Sequence, residues 1–213
     1  MRGWGPLAGL PPGARWSLLG VAGLLVALLI GTGVWALVQQ RERAARRAFV
    51  AVSISYRQAV ASADESQLDA AARALTQFLR DYPGVPDAPQ AWYFLGNVED
   101  QRRRFDAALT AFGEAARRDS GTVGALSRLG IGYAWEAKGE PRRALDAYAE
   151  ALKGRGPKDF LYDELLLATA RLQEQLKQPG AAIESYRRLL REAPESARAE
   201  EARTRLAILG ARA

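Results

Sequence analysis

The sequence predicts an all-α protein, a solenoid of helical hairpins preceded by one transmembrane helix. Three patterns carry that expectation. Ser17–Val38 runs 22 residues without a charge. Beyond it, alanines recur at Ala71, Ala108, Ala144 and Ala182, spaced 37, 36 and 38 residues apart. Each recurrence closes on a residue that ends helices or opens turns, at Pro83, Ser120, Gly156 and Pro194.

Residues 1–15, rich in Gly and Pro, read as a disordered tail. Residues 16–38 read as the membrane helix. The 22 uncharged residues span about 33 Å as a helix, against roughly 30 Å of hydrocarbon. Trp16 and Trp35 lie near its ends, where amphipathic rings favour the interface. A cleaved signal peptide is the competing reading, with Arg2 and Arg15 before the apolar run and Val34-Trp35-Ala36 as the cleavage site. The run exceeds the usual span of roughly 7–15 apolar residues, which favours a retained anchor. Gly23, Ala27 and Gly31 recur every four residues and give one helix face three small positions. Such a face suits close packing against another membrane helix, and so a homo-oligomer, although Gly and Ala are common in membrane helices generally.

The net charge is +6. Residues 1–40 contribute +2 and "RERAARR" at 41–47 contributes +3, leaving +1 for residues 48–213. The basic excess therefore flanks the apolar segment, and anionic lipid headgroups are its expected partner. Nucleic acid is not, because the large domain is nearly neutral. The chain has no Cys and no His. That removes thiol nucleophiles, lipid attachment to cysteine, thiolate or imidazole metal sites and the commonest general acid–base group. With no phosphate loop, nucleophile elbow or dinucleotide fingerprint either, no enzyme, cofactor or metal is expected.

Residues 39–51 read as a juxtamembrane helical linker and residues 52–194 as about four repeats. Four residues after each recurring alanine stands a bulky residue, Leu75, Phe112, Tyr148 or Tyr186; seven after stand Phe78, Ala115, Ala151 and Leu189. Twelve before stands a small one, Ala59, Gly96, Gly132 or Ala170. This predicts two antiparallel helices per repeat, A then B. The small residue on A and the alanine on B let the backbones approach, and the bulky residue on B fills the space between repeats. Residues 195–213 contain one further amphipathic helix, expected to cap the stack.

The pattern resembles the tetratricopeptide repeat. It is fullest at Trp92, Leu95, Gly96, Phe105, Ala108, Phe112 and Ala115, and again at Gly132, Trp135, Gly139, Ala144, Tyr148 and Ala151. The copy from Ala170 to Pro194 has a looser helix A. The first copy is the weakest, with Ser55 and Gln58 where bulky apolar residues are usual. The spacing exceeds the family's usual period of about 34, so short additions fall near "DSGTV" and "GRGPKDF".

What the resemblance implies for a site is a groove lined by the A helices, where partner peptides lie. Carried over position by position, the lining is Tyr56, Tyr93, Asn97, Asp100, Leu129, Tyr133, Glu136, Leu167, Arg171 and Glu174. Its tyrosines offer rigid apolar area with a polar tip; packing inside the solenoid is the alternative for some of them. Asn97 matches one position of the family's clamp for acidic C-terminal tails. Tyr93 stands where that clamp needs a base, which argues against it. Arg102–Arg104 read as a solvated turn between helices A and B, and the adjacent acids Asp163-Glu164 and Glu200-Glu201 as exposed helical faces.

The layout of tail, membrane helix and repeat domain resembles the bacterial ancillary subunit of the SecYEG translocon, a family that includes a cell-division coordinator. "YRQAV" and "ARLQEQLKQPGAAIESY" support the likeness. "FLRDYPGVPDAPQAWYFLG" is similar to envelope proteins of outer-membrane assembly. These likenesses imply a single-pass protein of the bacterial inner membrane, with the repeat domain in the periplasm, linking the Sec translocon to periplasmic chaperones. A self-associating factor of cell division or outer-membrane biogenesis is the alternative. The arginines after the apolar segment argue instead for a cytoplasmic domain. The layout is weighted slightly above them.

Overall fold

The computed structural model describes residues 12–212, without the side chains of residues 12–19 and Ala22. Among the described residues every regular element is a helix: α1 (Pro12–Ser62), α2 (Glu65–Asp81), α3 (Ala88–Gln101), α4 (Phe105–Arg118), α5 (Thr122–Ala137), α6 (Pro141–Leu152), α7 (Tyr162–Gln175), α8 (Pro179–Glu192) and α9 (Ala199–Ile208). The chain divides into two compact units, residues 1–47 and 48–213.

In the first unit, α1 contains a stretch long and apolar enough to cross a membrane, by length and composition. Its described side chains from Val21 to Val38 are exposed, Trp35 among them. A Cβ built on Gly23 or Gly31 meets no atom within 4 Å, and Ala27 is likewise exposed. Most of the expected tail lies outside the described residues. Its last four, Pro12 to Arg15, instead form the first turn of α1.

The second unit is a row of hairpins. The end of α1 packs on α2 through Val52, Ala59, Leu68 and Ala71. Likewise α3 pairs with α4, α5 with α6 and α7 with α8, and α9 packs on α8. Residues 39–51 lie within α1. The recurring positions account for the packing. Ala71, Ala108, Ala144 and Ala182 have no exposed area, and the bulky and small partners of each are buried too. Glycine is required twice because of close approach. A Cβ on Gly96 would stand 2.5 Å from the Phe112 ring, and one on Gly132 would sit closer still to Tyr148. So the aromatic residue of helix B lies on helix A of its own repeat rather than between repeats. Phe112 does both, since a Cβ on Gly130 in the next A helix would meet its ring at 2.9 Å.

The A–B turns after α3, α5 and α7 share one geometry. Arg103, Gly139 and Lys177 take left-handed φ of 59°, 81° and 59° just past α3, α5 and α7. Each N–H bonds back to a carbonyl three residues earlier, and the next N–H bonds five residues back, as from Glu140 to Trp135 at 2.9 Å. This doubly bonded stop satisfies carbonyls that a helix end otherwise leaves open. Gly210 repeats it after α9. α2 opens differently, with Asp64 Oδ1 accepting from the Gln67 N–H at 3.0 Å, an N-cap.

The weak first repeat is held by rings. Tyr56 stacks on Phe94 with centroids 4.0 Å apart, and Phe49 lies 5.7 Å from Phe78 and 6.2 Å from Phe94. These contacts replace the bulky residues missing at Ser55 and Gln58. At the far end, α9 buries Ala199, Ala202 and Leu206, while Glu200, Arg203 and Thr204 face solvent.

Candidate functional site

The A helices (the end of α1, then α3, α5 and α7) carry the ten residues expected to line a groove. Burial assigns two of them elsewhere. Leu129 and Leu167 are 7% and 1% exposed and belong to the core, which corrects the expectation for both. Helix α7 is buried on a broad face, from Tyr162 through Leu165, Leu166 and Ala168, and Leu167 falls within it.

Several of the others tie neighbouring repeats together. Asn97 donates to the Tyr56 hydroxyl at 3.1 Å, linking α3 to α1, and Tyr56 is half-buried in its aromatic stack. Burial raises the Tyr56 pKa, with Asn97 pulling the other way. Tyr133 donates to Glu164 Oε1 at 2.8 Å, from α5 to α7. Burial first, then the Glu164 hydrogen bond, pushes its phenol far above the ordinary range. Arg171 donates to Glu201 through Nε at 2.6 Å, and Arg205 donates to Glu174 at 2.9 Å, both joining α7 to α9. A surface hollow of about 550 Å³ opens among Arg171, Glu174, Gln175, Lys177, Glu201 and Arg205. Those two ion pairs form most of its walls, with Lys177 as a further cation at its edge.

Two more ties run within repeats. The Tyr148 hydroxyl donates to Glu136, and Tyr186 donates to Glu174 at 2.6 Å. What the A-helix face leaves open is therefore its middle. Tyr93 is half-buried and tilts on Phe112 with centroids 6.0 Å apart. Tyr133 is 41% exposed, its ring edge-on to Tyr148. Asp100, half-buried, has one carboxylate oxygen that is buried and without a hydrogen-bond partner. Burial raises the Asp100 pKa, opposed by the Arg103 charge.

Two expectations about charge are corrected. Arg102 is no solvated turn residue: its side chain is 2% exposed and reaches Glu65, Asp69 and Glu99 at 3.4, 2.5 and 3.3 Å. It locks α2 to α3, whereas Arg103 and Arg104 are not enclosed in this way. Glu164 is not on a solvated face either, since it receives Tyr133 and pairs with Arg198 at 2.5 Å. Apart from Glu99, three residues before Arg102, these partners lie more than thirty residues away along the chain, and no local charge pattern announces them.

The tetratricopeptide-repeat family model matches residues 56–122, 100–160 and 129–197. No curated protein sequence matches the chain. Among solved structures, a tetratricopeptide repeat protein from Parabacteroides merdae is similar at a TM-score of 0.60 and 19% identity, covering 77% of this chain. This chain spans 60% of that protein's length. A thermophilic tetratricopeptide-repeat protein of Thermus thermophilus aligns over 74% of this chain and 98% of its own, at 18% identity and a TM-score of 0.41. The first likeness concerns the fold alone, and the second is too distant to carry an argument. On the family match, which spans well over half the sequence, the chain belongs to the tetratricopeptide-repeat family.

Proposed function

We propose that the protein is a single-pass, membrane-anchored scaffold that captures an extended segment of a partner protein on its A-helix face and performs no chemistry of its own. The observation that carries this reading is the open middle of that face. Tyr93 and Tyr133 stand on adjacent repeats, on helices fixed by close-packed hairpins. A rigid platform with half-exposed phenols supplies contact area at little cost in side-chain entropy. The charge-free stretch of α1 is its anchor. The anchor raises the effective concentration of the face for partners in or near the bilayer.

The finer reading places the protein in a bacterial inner membrane with its repeats in the periplasm, between the Sec translocon and periplasmic chaperones. The likeness of layout supports it. The test is cross-linking in native membranes followed by mass spectrometry, on the wild type and on Tyr93→Ala plus Tyr133→Ala. Loss of captured partners with helical content unchanged is the expected outcome. Undiminished capture by the double variant means that the A-helix face is the wrong surface.

A further inference from the structure

In repeats 3 and 4 the acid one turn past the small residue of helix A is satisfied from within. Tyr148 serves Glu136 and Tyr186 serves Glu174. Repeat 2 keeps the acid as Asp100 but has Phe112 where the phenol belongs. Phe112 lies on Gly96 as Tyr148 lies on Gly132, so a bare ring edge takes the donor's place. Asp100 Oδ1 is accordingly buried and unbonded. Burying a carboxylate oxygen without a donor is costly, and the cost is recovered when a donor arrives. Tyr93 leans on that same Phe112, and the neighbouring A helix α5, packed against α3, presents Tyr133.

Resting on the reading of the A-helix face as the partner's track, the geometry points to a cation subsite: Asp100, on the same helix α3 as Tyr93, accepts one Lys or Arg side chain from the partner segment. A charge-assisted hydrogen bond to the carboxylate replaces the missing phenol. Like charge excludes an acidic chain from the same spot. Burial of the carboxyl raises its pKa, although the Arg103 charge opposes this, and Oδ1 keeps no donor.

The test uses the full chain in detergent micelles and two fluorescein-labelled probes of about eight residues, alternating Gly-Lys and Gly-Glu. Anisotropy should show binding of the Lys probe only. Asp100→Asn should weaken that binding roughly tenfold while raising the thermal midpoint, because the uncompensated charge is gone. Asp146→Asn, which removes an exposed acid on α6, should change nothing. The decisive variant is Asp100→Glu with Phe112→Tyr. It keeps the charge but installs the internal tie of repeats 3 and 4, and it should weaken binding as well. Equal binding of both probes, or wild-type affinity in Asp100→Asn or in the Glu–Tyr variant, overturns the subsite. If Tyr93→Ala plus Tyr133→Ala abolishes binding while Asp100→Asn does not, the subsite fails and the binding face stands. If neither variant matters, both fail.

Discussion

Side-chain size at a few positions decides whether two helices can touch. Gly132 is the clearest case, because the Tyr148 ring occupies the space a Cβ would take. Gly132→Ala must push the ring outward and disturb its bond to Glu136. A loss of about 1–3 kcal/mol is expected, read as a lowered urea midpoint with unchanged slope. Glu174 sets a second expectation. Burial raises its pKa, but donation from Arg205 and Tyr186 outweighs this and holds it below the ordinary 4.5. A depressed carboxyl contributes stability above its unfolded value, and that contribution is lost as pH falls through the folded value. The stability of Glu174→Gln should therefore fall less steeply than the wild type between about pH 5 and pH 3, measured by urea unfolding. The small and bulky positions were legible in the sequence because their spacing repeats. The fate of Arg102 was not: three adjacent arginines look alike until folding buries one among Glu65, Asp69 and Glu99.

At the scale of the element, the ends of α3, α5, α7 and α9 stop by the same left-handed turn, yet the residue there varies: Arg103, Gly139, Lys177, Gly210. A side chain in that conformation is strained, and glycine is not. Lys177→Gly, at an exposed position, should raise the thermal midpoint by the equivalent of roughly 0.5–1 kcal/mol, and Gly139→Ala should lower it comparably. Calorimetry of both variants checks the pair of signs. Element boundaries were largely readable, since Pro83, Ser120 and Pro194 each follow a helix end by two residues. The start of α1 was not. Pro and Gly near an N-terminus read as coil, whereas Pro12 to Arg15 are helical. The groove residues were readable only as helix positions. Periodicity assigned Leu129 and Leu167 to the A helices, but how deep each side chain sits depends on neighbours distant in the chain.

For the molecule as a whole, the two units pose different problems to the chain. Residues 48–213 bury their apolar side chains in one another, while the described apolar residues of α1 up to Val38 are exposed. An alkaline phosphatase fusion after residue 60 should be active in intact bacterial cells if the repeats are periplasmic; a silent fusion that becomes active only after lysis puts them on the other side. Neither arginine counts nor layout settles that in the sequence, because the two signals point in opposite directions. The bond from Tyr133 to Glu164 has a last consequence. It holds α5 to α7 with the hydroxyl of a residue on the face proposed for the partner. A guest that takes this proton for itself slackens the seam beneath it. By reciprocity, anything that stiffens the seam makes the guest less welcome.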